Sequence, residues 1–502
     1  MSKQTVIIVG AGLGGLFTGA ILAKEGFEVT LLEKNATIGG GLQTFKRFGE
    51  TFDTGMHVIG GMQPGGNIRK ICQYLGIMKD VEIRDVDEDC TDELYFDEDK
   101  FTYRVAKGKE AFVDSLAKEF PLEEENLKQY VNAIYRIADD IDLFNLRPSV
   151  DYIKGYPDDF LLSANSFIAK YIKDKRLQSI LAYMNPLYGG RKDETPAYVH
   201  AIINVLYING PSRFVDGSSK FANVLADFIK GRGGRIFVND AVEWIEVSNR
   251  HIDSVRTHSG RIFQADFYIS DIHPCTLFKI MPDNAFPKSY RNRLDAIPNS
   301  YSAFSVYIKM KEASFPYINH TVYYVDKYEN VWNCGEKDGT WPKGFMLMTP
   351  PDSNQGEYCR KVLIMAPMSY ERVRQWEDTT VGKRGDEYLQ WKERHVDLIL
   401  SLVEKMYPGF KNCVESINSS SPLTIRDFYG VKEGTLSGFR KDCNNITISM
   451  VPVVTKVDNL LLTGQNNNLN GFCGVPLTAI NTCEALLGRN YIIDKINQCS
   501  EE

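Results

Sequence analysis

TVIIVGAGLGGLFTGAILAKEGFEVTLLE, residues 5–33, is the stretch that decides the fold of this 502-residue chain. Residues 5–9 are mostly β-branched and predict a buried parallel strand. The next six residues, GAGLGG at 10–15, match the G-x-G-x-x-G turn that opens a helix and presents backbone N–H groups to a pyrophosphate. A second predicted strand, 27–32, ends at Glu33, about 20 residues beyond the glycines, where ribose hydroxyls need an acceptor. The stretch therefore predicts the start of a Rossmann-like dinucleotide-binding domain.

The same stretch carries no charge between residues 5 and 23, so a signal anchor or a spanning helix is the alternative to be tested. Its glycines would weaken a lipid-facing helix, and no small-residue cleavage site follows an apolar core. A phosphate-binding turn explains them: Gly10 permits the tight turn, Gly12 admits backbone N–H groups to the phosphates, and Gly15 lets helix and strand pack closely. The positive end of the helix dipole favours phosphate further.

Composition excludes several other classes of function. The formal net charge is -7 and the pI is near 5.7, so there is no global attraction for nucleic acid. The ten cysteines are scattered without a C-x-x-C pair and no signal peptide is evident, which predicts reduced thiols in a cytoplasmic protein. The histidines form no metal-binding motif, so we expect no metal. Neither a G-x-S-x-G elbow nor a P-loop is present, which disfavours hydrolases and nucleotide triphosphatases.

The pattern of predicted elements divides the chain into two domains that interrupt each other. Strand and helix patterns at residues 1–75, 211–290 and 440–502 predict a discontinuous α/β domain that binds the dinucleotide. Residues 76–210 and 291–439 are expected to form an inserted α+β substrate-binding domain. Amphipathic helices predominate in the first of these two segments and predict a cap, whereas short β-like runs in the second predict a sheet.

A second glycine loop, IGGGLQTF at 38–45, follows Glu33 closely. A nicotinamide cofactor would need only the first loop, whereas an extended flavin dinucleotide would use both loops together with a C-terminal turn. Gly474, Val475 and Pro476 are predicted to open the C-terminal helix, whose positive end would stabilise negative charge on a reduced flavin. An ordinary strand-turn-helix with proline in the first turn explains that segment equally well.

Three motifs resemble the FAD-dependent phytoene desaturase and carotenoid isomerase family: the two N-terminal glycine loops with FDTGMHVIG at 52–60, ADFYISDIHP at 265–274, and LLLTGQNNN with GFCGVPLTAINTCEALLG at 460–488. FDTGMHVIG is most similar to the retinol saturase branch of that family. The resemblance implies an FAD-bound fold of the amine oxidase type and a hydrophobic tunnel. It also implies redox or isomerisation chemistry at a carbon–carbon double bond of an isoprenoid or another lipid.

The resemblance implies that several residues hold FAD, namely Gly10, Gly12, Gly15, Glu33, Gly40, Gly41, Val242, Gly464 and Gln465. The same loops add as candidates Leu13, Gly14, Lys34, Leu42, Gly474 and Val475. Two positions depart from the family pattern. Asn466 stands where an acidic residue is common, and Asp216 stands where a glycine is usual.

The chemistry requires a double bond over the flavin and a proton at the adjacent carbon, which one positioned acid can supply. His57 is the catalytic candidate because its turn follows the flavin-binding loop; a turn histidine satisfied by backbone is the alternative. Tyr188, His200 and Tyr207 are candidates to line the substrate tunnel, and a packing role would explain each of them as well.

The motifs present and absent in the sequence indicate which partners the protein needs. No second G-x-G-x-x-G follows a strand, so we expect a transient electron donor or acceptor: NAD(P)H, a quinone, oxygen or a reductase. Residues 158–184 mix apolar and basic residues, a composition that suits either a peripheral contact with a membrane surface or a cap helix.

Two other functions share the fold: an amine oxidase, and a non-enzymatic prenyl-binding protein of the GDP-dissociation-inhibitor type. The intact glycine loops and Glu33 count against the second.

Overall fold

The computed structural model describes residues 3–149, 156–467 and 469–499. Its strands are β1 (Thr5–Val9), β2 (Glu28–Leu32), β3 (Thr44–Arg47), β4 (Glu50–Asp53), β5 (Ile83–Asp85), β6 (Asp92–Phe96), β7 (Phe101–Val105), β8 (Ser212–Phe214), β9 (Arg235–Phe237), β10 (Val242–Ser248), β11 (His251–Thr257), β12 (Ile262–Phe263), β13 (Phe267–Ser270), β14 (Ser302–Met310), β15 (Thr321–Val325), β16 (Gly344–Met348), β17 (Lys361–Met368), β18 (Val414–Ser420) and β19 (Leu460–Leu462). Its helices are α1 (Leu13–Lys24), α2 (Asn67–Leu75), α3 (Lys109–Ala117), α4 (Glu124–Asp139), α5 (Ala164–Tyr171), α6 (Lys175–Leu181), α7 (Ala197–Ile208), α8 (Ser219–Gly231), α9 (Pro274–Leu277), α10 (Lys288–Ala296), α11 (Asp386–Met406), α12 (Phe410–Cys413), α13 (Pro422–Tyr429), α14 (Gly471–Leu487) and α15 (Tyr491–Gln498).

A five-stranded parallel sheet, in the order β19-β13-β1-β2-β9, carries both the first glycine loop and Glu33. Its central strand β1 is buried on both faces, as its β-branched sequence predicts. Helix α1 packs against β1 and β2 and against the helices α8 and α14. The Rossmann-like α/β fold predicted from the N-terminal stretch is therefore confirmed.

The strands of this sheet come from three distant parts of the chain. β1 and β2 lie near the N-terminus, β9 and β13 lie between residues 235 and 270, and β19 lies beyond residue 459. We therefore propose the predicted division, with residues 1–75, 211–290 and 440–502 as the FAD-binding domain and residues 76–210 and 291–439 as the substrate-binding domain.

A seven-stranded sheet, in the order β18-β14-β17-β16-β15-β6-β7, forms the second layer. Successive side chains along a strand point to opposite faces. In β16, Phe345 and Leu347 join the apolar cluster under α11, whereas Met346 and Met348 join the cluster that surrounds the first glycine loop. Met365 of β17 lies on the same side as these two methionines. The pleat therefore gives this sheet a methionine-bearing face, which is turned toward the five-stranded sheet and its glycine loop.

The predicted cap is present as the helices α3 to α7, in which α4 packs against α7. Residues 158–184 form two short helices rather than one long helix, because Asp174 accepts hydrogen bonds from the backbone N–H groups of Arg176 and Leu177 and starts α6. Phe167, Ile168 and Leu181 are buried, while Leu161 is 44% exposed. Among the helices that the structure describes, none has the length and apolar character needed to cross a membrane.

Candidate functional site

A cavity of about 340 Å³ lies between the carboxyl ends of the parallel strands and the methionine-bearing face of the second sheet. Most of the predicted site residues line it, namely Gly10, Gly12, Leu13, Gly14, Glu33, Lys34, Gly40, Gly41, Leu42, His57, Tyr207, Val242, Gln465 and Val475. Five predicted site residues do not line it, namely Gly15, Gly464, Gly474, Tyr188 and His200. The cavity therefore joins the predicted cofactor loops to an apolar wall.

The first glycine loop has the geometry of a phosphate cradle. Gly10 has a φ of +101°, which favours glycine, and its N–H donates to the carbonyl of Leu32 at 2.8 Å. A Cβ atom on Gly15 would collide with the carbonyl oxygen of Gly10, so Gly15 serves the close contact of helix and strand without facing the cavity. Helix α1 has no side-chain cap and no acidic residue in its first turn. The N–H groups of Gly12 and Gly15 hydrogen-bond the Asp271 carboxylate, so the other N–H groups at this helix start are the ones that fit a pyrophosphate.

Glu33 joins the end of β2 to this loop. Its side chain is 6% exposed and accepts hydrogen bonds from the backbone N–H of Ala11 and of Asn35, both at 2.9 Å. Because an ionised carboxylate has about four acceptor positions, two remain for ribose hydroxyls.

The second glycine loop lies directly against the first. The N–H of Gly39 donates to the carbonyl of Ala11 at 2.7 Å, and a Cβ atom on Gly40 would lie 3.2 Å from the Cα of Gly12. The short 3₁₀ turn Gly40–Leu42 then continues along the cavity. Two adjoining loops of small residues fit an extended dinucleotide better than a single phosphate group.

Asp271, which the sequence analysis did not single out, lies at the centre of this cradle. It follows β13 directly, and its carboxylate faces the glycines of the first loop and Gly464. Burial raises the pKa of Asp271 to about 7; the N–H groups of Gly15 and Gly12 favour the charged form, and Glu33 opposes it. The sequence could have identified Asp271, because it is the first residue after a predicted parallel strand, and ligands bind at the carboxyl ends of such strands.

The raised pKa of Asp271 predicts that flavin-free protein loses stability as the pH rises. In the unfolded chain this carboxyl ionises near pH 4, so between about pH 4 and about pH 7 the folded state binds the extra proton and the free energy of unfolding falls with pH, by at most about 1.4 kcal/mol per pH unit. D271N should remove this slope in urea unfolding of the flavin-free protein, whereas D378N, at an exposed position, should retain it. An unchanged slope in D271N would contradict the assignment.

Helix α14 begins one turn earlier than predicted. Its first residue is Gly471, whereas Gly474 was predicted to start it, because Pro476 suggested a first turn although it lies inside the helix. A Cβ atom on Gly474 would lie 2.6 Å from Leu469, so Gly474 serves packing. The helix start still faces the cavity, since Gly471 and Val475 line it.

His57 has no hydrogen-bond partner among the described residues for either ring nitrogen, although both nitrogens are shielded from solvent and the residue lines the cavity. Burial, and to a lesser degree the charge of Arg213, lower the pKa of His57 to about 3, so its imidazole is neutral near neutral pH. Buried polar atoms are nearly always hydrogen-bonded in native proteins. The two unpartnered nitrogens therefore point to a ligand in the cavity.

The structure corrects the prediction for Tyr188 and His200 but places Tyr207 on the cavity. His200 lies two helical turns before Tyr207 on α7, where Tyr130 of α4 and Tyr188 cover it. Its Nε2 lies 2.7 Å from the Tyr130 hydroxyl and its Nδ1 lies 3.0 Å from the Tyr188 hydroxyl. The Tyr207 hydroxyl instead donates to the carbonyl of Val58 at 3.0 Å and holds the turn that carries His57.

The two departures from the family pattern have structural explanations. Asp216 has a φ of +59°, the conformation for which a glycine is usual, and its carboxylate accepts from the backbone N–H of Ser353 and from Lys220. Asn466 lines the cavity, and its buried Oδ1 has no partner among the described residues. Asn466 therefore places a neutral amide at the cavity where an acidic residue is common.

Comparison with known proteins identifies the class of this site. The sequence matches the family described as flavin containing amine oxidoreductase over residues 13–481. It is 25% identical to the all-trans-retinol 13,14-reductase of Danio rerio over 97% of this chain and 86% of that protein. It is 24% identical to chloroplastic prolycopene isomerase 1 of an Oncidium hybrid cultivar, over 92% of this chain and 80% of that protein.

The fold has a match among solved structures as well. Cyclohexylamine oxidase of Brevibacterium oxydans superposes with a TM-score of 0.62 at 16% identity, covering 99% of this chain and 100% of that one. The resemblance to the phytoene desaturase and carotenoid isomerase family is confirmed. FAD is the cofactor, and the protein is an FAD-dependent oxidoreductase. The chain belongs to the flavin containing amine oxidoreductase family.

Proposed function

We propose that this protein acts on a carbon–carbon double bond of a hydrophobic isoprenoid, polyene or other lipid. One observation carries the proposal: a single cavity joins the glycine cradle, the unpartnered imidazole of His57 and an apolar wall that includes Met346, Met348 and Met365. The retinol reductase and prolycopene isomerase relatives support a substrate of this class. Reduction is favoured over desaturation and isomerisation because FDTGMHVIG is similar to the retinol saturase branch.

The proposed cofactor site consists of residues with two kinds of role. Those that face FAD are Gly10, Gly12, Leu13, Gly14, Glu33, Lys34, Gly40, Gly41, Leu42, Val242, Asp271, Gln465 and Val475. Those that allow the loops to approach one another are Gly15, Gly464 and Gly474. When bound, FAD supplies hydride acceptance and donation at its flavin ring.

The residues around the substrate exclude water and handle one proton. The methionine side chains adapt to an apolar ligand, since they are flexible and polarisable. His57 is neutral, and both of its ring nitrogens are shielded from solvent. It can remove a proton at the carbon next to the hydride position, and it can deliver one there only as its other ring nitrogen takes up a proton from water, so that the ring stays neutral. Tyr207 fixes the turn that positions this imidazole.

An amine substrate fits the same cavity less well. The carboxylates among the lining residues, Glu33 and Asp271, both lie at the glycine loops, and the methionine wall offers an ammonium group no charged partner. The prenyl-binding alternative is not retained, because the protein is an FAD-dependent oxidoreductase.

We propose that the electron donor or acceptor binds transiently, and that it is NAD(P)H, a quinone, oxygen or a reductase. Among the described residues, the parallel pairs outside the five-stranded sheet consist of β6 with β15 alone, and no G-x-G-x-x-G turn follows either of those strands. We further propose a cytoplasmic location with peripheral contact to a membrane surface that delivers the lipid. The exposed Tyr156 and Leu161 beside the cap support such contact.

The proposal is tested by single turnover under anaerobic conditions. Holoprotein with reduced FAD should reoxidise when given retinol or a carotene, with the product reduced at one double bond by chromatography and mass spectrometry. Oxidised holoprotein should not be bleached by cyclohexylamine or putrescine. Bleaching by an amine, with no reaction of the polyenes in either redox state, would contradict the proposed substrate class.

A further inference from the structure

The last three residues of α13 and the turn that follows them lie at the cofactor end of the cavity. Residues 427–431, which we call the strap, belong to the half of the chain that carries the seven-stranded sheet. Residues of the strap that line the cavity are Phe428, Tyr429, Gly430 and Val431, opposite Glu33, Lys34, Asn35, Gly40 and Gly41. The strap therefore borders the groove where the ribose acceptor lies.

Two side chains next to Glu33 hold the strap by its backbone. The Lys34 ammonium donates to the carbonyl of Asp427 at 2.7 Å, and the Asn35 amide donates to the carbonyl of Phe428 at 2.9 Å. Both donors lie directly after Glu33 in the chain, so the residues that tether the strap adjoin the proposed ribose acceptor.

Two further contacts tie the strap to separate loops. The Thr276 hydroxyl, on α9, donates to the carbonyl of Gly430 at 3.1 Å. The Tyr429 hydroxyl donates to the hydroxyl of Thr54, just after β4, at 3.1 Å. Tyr429 also lies against the second glycine loop, since its hydroxyl is 4.0 Å from where a Cβ atom on Gly41 would lie.

Ion pairs hold the first residue of the strap, Asp427, in place. The Asp427 carboxylate pairs with Arg384 and, at 2.7 Å, with Arg426. Gly430, with a φ of +69°, ends α13 in the left-handed conformation and turns the chain back. The strap is thus anchored in one half of the molecule, while its tethers reach loops after β2, after β4 and on α9.

We infer that the strap is a retention element for FAD, which closes over the adenosine end of the cofactor and must lift for FAD to enter or leave. This inference rests on the proposed placement of the ribose at Glu33. The tethers join two chain segments across the groove, so ligand exchange requires that they break, and each broken tether loses one hydrogen bond. The rate of FAD release is therefore set by these tethers.

The test is the rate of FAD release from purified holoprotein, followed by the recovery of flavin fluorescence after dilution. Removing two tethers in the double variant N35A/T276V should speed release by about tenfold or more, because each hydrogen bond contributes modestly and both must break for opening. Y429F, which loses only the bond to Thr54, should give a smaller increase. The unfolding temperature of the flavin-free form should fall only slightly in both variants, because each removed hydrogen bond contributes modestly to stability.

The matched control is the double variant N412A/T380V, which makes the same two substitutions at exposed positions of the same half. It should release FAD at the wild-type rate. Equal release rates for N35A/T276V and wild type, with FAD bound in both, would overturn the strap inference alone. A wild-type protein that takes up no FAD would instead overturn the proposed cofactor site.

Discussion

Alanine at position 15 is expected to lower the affinity for FAD by at least about 100-fold and to reduce the free energy of unfolding by about 1–3 kcal/mol. The Cβ atom would collide with the carbonyl oxygen of Gly10, a backbone atom that no side-chain rotation can move. Relief requires α1 to shift away from β1. That shift would turn the N–H groups of the phosphate cradle away from FAD.

Titration of flavin-free G15A with FAD, read by quenching of flavin fluorescence, gives the affinity, and thermal unfolding gives the stability. The control is G231A, because Gly231 lies at the end of α8 with no atom within 4 Å of its added Cβ. G231A should bind FAD normally and gain up to about 1 kcal/mol of stability from the helix propensity of alanine. Wild-type affinity in G15A would contradict the close-packing role of Gly15.

Phenylalanine at position 57 is expected to slow product formation by about 100-fold or more while FAD remains bound. The reason is that both ring nitrogens of His57 lack partners among the described residues while the residue lines the cavity, and phenylalanine fills its place without a proton to give or take. Because the pKa of His57 is about 3, the rate in wild type should show no imidazole inflection near pH 6.5.

The measurement is single-turnover oxidation of reduced holoprotein by a polyene across pH 5 to 9, with the flavin spectrum as the check on cofactor binding. H57Q should be less impaired than H57F, since its amide still donates one hydrogen bond. H251Q, at the start of β11 and outside the cavity lining, is the control and should react as wild type does. Equal rates for H57F and wild type would remove His57 from the mechanism.

The features that were predicted correctly from the sequence are those determined by residues close together in the chain. β1, the glycine turn and Glu33 were identified because their spacing follows from one strand, one turn and one strand in succession. His57 was placed on the cavity for a similar reason, since its turn follows the second glycine loop within a few residues. These features depend on contacts between residues that are close together in the sequence.

The parts that the sequence did not predict depend on contacts between distant segments. Asp271 reaches the first loop only because β13 pairs beside β1, about half the chain away. The strap reaches Lys34 and Asn35 across almost 400 positions, and no local pattern marks it. His200 lies away from the cavity for the same reason, since Tyr130, 70 positions earlier in the chain, packs over it.

The edge position of β19 has a consequence for biosynthesis. During translation, β1, β2, β9 and β13 leave the ribosome before β19 and α14 have been made, although α14 packs on α1 and β19 pairs with β13. The nascent chain therefore holds an incomplete sheet with an open edge at β13 until residues 460–487 emerge. We therefore expect capture of the flavin to follow release of that segment, and this edge to be the place where the unfinished chain is most open to pairing with another chain.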